Sequence, residues 1–142
     1  MLGRWLAFPW RKAPLGMRGE DAAARFLKRQ GYRIIARGET WGKTEIDIIA
    51  VDRRDPRGRA IVFIEVKTRT SIAKGEPAAA VDEAKRRKLT IAALAYLKRK
   101  GLLNYPARFD VVSVLWPADE KRPTIEHFQN AFEPEGRGQM FA

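Results

Sequence analysis

Three residues in the middle of this chain have side chains and spacing suited to phosphodiester chemistry. Asp47 stands inside EIDIIAV, between Ile46 and Ile48, and Glu65 and Lys67 stand two positions apart in IVFIEVKTR. Both stretches read as strands rich in β-branched residues. Side chains alternate along a strand, so Glu45, Asp47, Ile49 and Val51 are expected on one face of the first, and Ile61, Phe63, Glu65, Lys67 and Arg69 on one face of the second. An unpaired charge buried in a core strand is costly, so an Asp at this position needs a reason. The connection RRDPRGR between the strands contains Asp, Pro and Gly and reads as a hairpin, which makes the strands antiparallel and lets Asp47 approach Glu65. Two facing carboxylates repel unless a cation or a proton lies between them. With no His–Cys cluster in the chain, an all-oxygen set suits a hard ion, Mg²⁺ or Mn²⁺. Such an ion polarises a phosphoryl oxygen, and Lys67 would set a positive charge where negative charge develops.

The plainer reading of Glu65 and Lys67 is a same-face ion pair at a strand end, and for the tripeptide alone that reading wins. Asp47 in the preceding strand and Glu20 tip the balance. Glu20 lies on the same helical stripe as Ala23, Ala24 and Leu27, where a carboxylate also needs a reason. Glu45 is expected as a carboxylate supporting the metal from behind. Lys85 aligns with Val81 and Leu89 and is expected near the scissile phosphate, although a lysine can snorkel out of such a stripe. Arg86, Arg87 and Lys88, and Arg69 at the strand end, are assigned to the nucleic-acid backbone. His127, the single histidine, reads as structural, and Asp110 as a partner of Arg108 or a strand-end cap.

The elements that must position these groups follow from periodicity. MRGEDAAARFLKRQGY reads as a helix stopped by Gly31, followed by strands in YRIIARGET, TEIDIIAVD and AIVFIEVKTRT. After the loop SIAKGEP comes a long helix over 78–101, ended by Gly101, with Val81, Leu89, Ala92 and Tyr96 as its apolar stripe. ARFDVVSVLW is a fourth strand and PTIEHFQ a weak fifth. This order predicts an α/β fold around one mixed sheet flanked by helices. Residues 1–17 read as an N-terminal appendage, in which Trp5 and Trp10 either stack on bases or pack on the protein's own surface. Residues 18–132 read as the domain and 133–142 as a flexible tail.

The chain has 142 residues, 45% of them hydrophobic, enough for one domain with its own core. It has no cysteine, which excludes disulfides and thiolate metal sites and fits a reducing cytoplasm. No run approaches the roughly 20 apolar residues of a membrane span, so no membrane partner is expected. Lys and Arg number 28 against 17 acids, a formal net charge of +11, and so basic a small protein is expected to meet a polyanion.

EIDIIA followed by FIEVKTR resembles the PD-(D/E)XK nuclease signature. With RGEDAAARFLKRQGYRIIAR, AVDEAKRRKLTIAALAYL, RFDVVSV and IEHFQNAF, the chain resembles the YraN family over residues 18–132. These are small bacterial proteins, restriction-endonuclease-like and related to archaeal Holliday-junction resolvases. The resemblance implies an αβββαβ core. It implies Asp47, Glu65 and the Val66 carbonyl as metal ligands and Lys67 as the catalytic lysine, and it matches Glu20 to the glutamate of helix one in the resolvases. The sequence departs from the pattern at Ile46, where the signature has Pro, at Thr44, where the family commonly has Gly, and in the loop GETWGK. The expected activity is a metal-dependent endonuclease acting on DNA, with branched DNA as one candidate substrate. The alternatives are a non-catalytic nucleic-acid-binding module of the same fold and a protein that recruits other factors. A resolvase would need two sites, hence a two-fold homodimer, but no dimer face stands out in the sequence.

Overall fold

The computed structural model describes residues 14–71 and 81–136. Trp5, Trp10, the loop over 72–80 and the last six residues lie outside the described residues. The elements are α1 (Leu15–Arg29), β1 (Arg33–Trp41), β2 (Thr44–Asp52), β3 (Ala60–Arg69), α2 (Glu83–Lys100), β4 (Ala107–Leu115) and β5 (Thr124–Phe132). The expected order of helix, three strands, helix and two strands is found. The sheet runs β1-β2-β3-β4-β5, antiparallel at every junction except β3–β4, which is parallel and is joined through α2. The result is an open α/β sheet, consistent with a restriction-endonuclease-like core.

A helix and a sheet face each hide one apolar side, and this sheet hides both. On the α2 face Ile49, Ile61, Phe63, Phe109 and Val111 pack with Leu89, Ala92, Tyr96 and Leu97. On the α1 face Ile48, Ala50, Val62, Ile64, Val112 and Val114 pack with Ala22, Ala23, Ala24 and Leu27. Burial on both sides explains why the central strands read as nearly unbroken apolar runs. Among the described residues no helix is long and apolar enough to cross a membrane.

Three boundaries differ from expectation. α1 begins at Leu15, inside the stretch read as an appendage. α2 begins at Glu83, not at 78, because the Asp82 side chain accepts a hydrogen bond from the Lys85 backbone N–H at 2.8 Å and so caps the helix. Val81 precedes that cap yet still enters the core. β5 runs on to Phe132, past a register shift opposite Phe109 and Val111. Gly31 (φ 94°) and Gly101 (φ 70°) end the two helices, as their positions in the sequence predict.

Candidate active site

The β2–β3 ladder stops at Ile48–Ile64. Just past that point the strands part, and the Asp47 carboxylate takes the place of a backbone acceptor: its Oδ2 accepts the Val66 N–H at 2.8 Å. Strict alternation fails in β2 at the same place. Ile46 and Ile48, two positions apart, join opposite core clusters, Ile46 on the α2 face and Ile48 on the α1 face. The strand therefore twists across Asp47, and its carboxylate meets α1 as well as β3.

There Asp47 meets Glu65 on one side and Glu20 on the other. Desolvation first, and the Glu65 charge second, push the Asp47 carboxyl up to about 7, and the charges of Glu20 and Glu45 add to this. The Val66 N–H opposes that rise. Glu20 shares a side-chain hydrogen bond with Asp47, and its carboxyl is also raised, mainly by desolvation and then by Glu45. Glu65 is buried at 9% exposure, and its Oε2 lies 3.3 Å from Lys67 Nζ. The Lys67 side chain keeps 27% of its surface open to solvent.

One glycine allows this convergence. A Cβ at Gly19 would fall 2.0 Å from Thr68 Oγ1 and 2.9 Å from Thr68 Cβ. Only a glycine lets α1 lie this close to β3, and the next residue is Glu20. Nothing in the sequence distinguishes Gly19 from the stop glycines, because the contact exists only in the packed structure.

The other expected residues are placed less uniformly. Glu45 is exposed but belongs to the acidic group through its charge on Asp47 and Glu20. Lys85 is half-buried in the first turn of α2, and among the described residues its side chain makes no ion pair with the acidic group. Arg86 is not on an open basic face. Its Nε donates to the Val81 carbonyl at 2.8 Å and its guanidinium lies over the Phe132 ring, so it braces the helix start. Arg87 is exposed and ion-paired with Glu83 at 3.1 Å, and Lys88 is exposed. Arg69 is half-buried at the end of β3, where its carbonyl accepts the Trp116 N–H at 2.7 Å. Among the described residues no three His, Cys, Asp or Glu side chains are gathered so as to hold a metal ion.

At the opposite end of β2 lies a charged cluster of which the sequence disclosed only the Arg108–Asp110 pair. Arg108 Nε and Nη2 bond both oxygens of Asp110, at 2.9 and 3.1 Å. Its Nη1 reaches Asp52 and Asp55, each at 2.9 Å, and Nη2 donates to the Tyr32 hydroxyl at 2.8 Å. Burial opposes the Arg108 charge, but the Asp110 contacts outweigh it and hold the guanidinium protonated. Asp110 also meets His127 Nε2 at 2.7 Å and accepts the Asn130 N–H at 2.9 Å, where Asn130 takes φ 51°. The Arg108 partnership expected of Asp110 is present, and His127 has a structural partner. A cleft of roughly 620 Å³ opens beside this cluster. The RRDPRGR stretch is thus more than a turn: its Asp55 is a buried anchor, and Arg57, which donates to it, holds its carboxyl down at about 2.

Comparison with known proteins places this arrangement in a group. Residues 19–114, from Gly19 beside Glu20 through most of β4, match the model of the Uncharacterised protein family UPF0102. A UPF0102 protein of Rhodopirellula baltica is 52% identical over 125 residues, covering 87% of this chain and 73% of its own length. One of Geobacter sulfurreducens is 47% identical over 119 residues, covering 84% and 88%, and one of Chlorobaculum tepidum is 43% identical over 122 residues, covering 83% and 91%. With two-thirds of its length inside the matched region and relatives this similar across most of both chains, the protein belongs to the UPF0102 family.

Proposed function

We propose that this protein is a metal-dependent endonuclease that hydrolyses phosphodiester bonds in DNA where β2 and β3 part. The observation that carries the reading is Asp47 set between Glu65 and Glu20 at that opening, with Lys67 3.3 Å from Glu65. The carboxylates destabilise one another, and a hard cation would relieve them. The oxygen donors therefore fit Mg²⁺ or Mn²⁺. Asp47 and Glu65 would hold the ion with the Val66 carbonyl, as the resemblance to the PD-(D/E)XK nucleases implies. Two side chains and a carbonyl make a partial shell, as is usual for Mg²⁺, which keeps waters and takes substrate phosphates as ligands. When bound, the ion polarises the phosphoryl oxygen.

The chain's own residues do the rest. The Val66 N–H fixes the orientation of Asp47. The Glu65 carboxylate orients the Lys67 ammonium, whose open side faces solvent, where a phosphate can reach it and gain stabilisation as its charge grows. Glu20 adds a carboxylate that positions a water or tunes the choice of metal. A branched substrate would call for two such sites and so for a homodimer. The lack of cysteine fits a cytoplasmic setting.

The test is cleavage of linear, single-stranded and four-way-junction DNA with Mg²⁺ or Mn²⁺, comparing wild type with Lys67→Ala prepared in parallel. Lys67→Ala, Asp47→Ala and Glu65→Ala should each lower the rate by at least about 100-fold, with Glu20→Ala milder. Equal cleavage by wild type and Lys67→Ala would identify a contaminant. DNA binding without cleavage on any substrate would favour the non-catalytic module.

A further inference from the structure

In the basic segment of α2, Arg86 is folded back onto Val81 and Phe132 and Arg87 is paired with Glu83, which leaves Lys88 as its one exposed cation without an ion pair among the described residues. A better nucleic-acid surface lies on the far flank of α1. Arg18, Ala22, Arg25 and Arg29 recur at spacings of four, three and four residues, which puts them on one stripe of the helix, opposite Glu20. Between this stripe and the β4–β5 connection runs a cleft of roughly 440 Å³, lined by Arg25, Arg29, Trp116, Lys121, Arg122 and Ile125. Among the described residues none of these four cations has an ion-pair partner. Asp119 and Glu120 precede Lys121 and are exposed, but Glu120 contributes only its carbonyl, to Trp116 Nε1 at 3.0 Å. Four uncompensated cations around one cleft repel each other, an arrangement that a polyanion would relieve.

The cleft connects to the candidate active site. β3 and β4 are parallel, so the end of β4 and the connection after it lie at the same end of the sheet as Glu65, Lys67 and Arg69. The Trp116 N–H bonds the Arg69 carbonyl at 2.7 Å, and the Arg18 guanidinium covers the Trp116 ring at 4.1 Å. With its ring covered by Arg18 and its Nε1–H tied to the loop, Trp116 is a brace for the arginine and not a base-stacking platform. The surface therefore suits a phosphate backbone in preference to unstacked bases. From Arg18 to Arg29 the stripe is about 16 Å long, close to five base-pair steps along one strand.

We propose that this cleft, and not the α2 segment, is the track that holds the phosphate backbone of the duplex leaving the active site. The track rests on the reading of the β3 end as the substrate site, but it concerns binding and is separable from cleavage. The test is the salt dependence of affinity for a duplex of about 20 base pairs in EDTA, measured by fluorescence anisotropy. One variant carries Arg25→Gln, Arg29→Gln, Lys121→Gln and Arg122→Gln. A charge-matched control carries Arg33→Gln, Arg53→Gln, Arg59→Gln and Lys98→Gln, four exposed cations elsewhere. The cleft variant should flatten the slope of log affinity against log salt by up to about 3.6, at roughly 0.9 per lost phosphate contact, and the control by less than about 1. A third variant, with Arg25→Lys, Arg29→Lys and Arg122→Lys, should keep the wild-type slope, which separates charge from folding.

Equal flattening in the cleft variant and the control would overturn the track in favour of diffuse attraction. So would a wild type that fails to bind the duplex. So would a cleft variant that keeps its DNA affinity but loses binding to anionic lipid vesicles. Tight, cleft-dependent binding with no cleavage under Mg²⁺ or Mn²⁺ would leave the track standing and remove the nuclease reading.

Discussion

At the scale of single residues, Asp47 and Arg108 solve the same problem in opposite ways. Each brings charge into a largely dry place, but Arg108 is surrounded by opposite charge and Asp47 by like charge. The Asp47 carboxyl, pushed up to about 7, binds its proton more tightly in the folded protein than in the unfolded chain. Its protonated form therefore stabilises the fold fully below about pH 4, and that contribution is lost as pH rises through about 7. In chelator, Asp47→Asn keeps an acceptor for the Val66 N–H and removes the charge. It should be more stable than wild type at pH 8, by on the order of 1–2 kcal/mol once the partial exposure of the group is discounted, and the gap should close towards pH 4. Millimolar Mg²⁺ should close it from the other side by stabilising wild type alone. A gap independent of both pH and metal would mean that the carboxylate is not strained. Arg108→Leu should instead cost about 3–5 kcal/mol in urea unfolding, because it strands three aspartates around one hole. A loss below about 1 kcal/mol would show that water already screens the cluster.

At the scale of elements, the approach of α1 to β3 decides whether Glu20 reaches the acidic group. Gly19→Ala would drive a methyl into Thr68, at a cost of about 1–3 kcal/mol, and should weaken Mg²⁺ stabilisation as Glu20 moves away. Thr68→Ala should restore part of both losses, but not all, since the Thr68 Cβ is itself within 2.9 Å. Strictly additive effects would mean that the helix does not pivot on this contact. The same contact marks the limit of what the sequence discloses. The two helix stops, the β2–β3 hairpin and the pairing of Asp47 with Glu65 were legible, because glycine, turn chemistry and strand period are local signals. The twist at Ile46–Ile48 was not, since alternation assumes a regular ladder and this ladder ends there. Of the Arg108 cluster only the pairing with Asp110 was legible, because its other members come from β2, the hairpin, β5 and the residue before β1, and no spacing announces them. The start of α2 at Glu83, and not at 78, follows from the Asp82 side chain capping the helix.

At the scale of the whole molecule, the sheet has an acidic opening at one end and a neutralised aspartate cluster at the other. Asp47 and Asp52 are five residues apart on β2, about 17 Å. The two ends share no partner, so combining Asp47→Asn with Asp55→Asn should give stability changes that add within about 0.5 kcal/mol. Stronger coupling would mean that β2 transmits strain along its length. The parallel β3–β4 pairing also bears on the order of folding. Asp47 and Glu65 meet by closing one hairpin over residues 53–59, whereas β4 can dock only after α2 has spanned the crossover. Local closures precede distant ones because they cost less loop entropy. The repelling carboxylates are therefore forced together early, before β4 and its cluster can contribute. Divalent cations should then accelerate refolding as well as slow unfolding, steepening the low-denaturant arm of the chevron's dependence on Mg²⁺ in wild type and not in Asp47→Asn. Under the proposed function, a divalent ion held there would, by this route, also speed the closure of the β-meander that binds it.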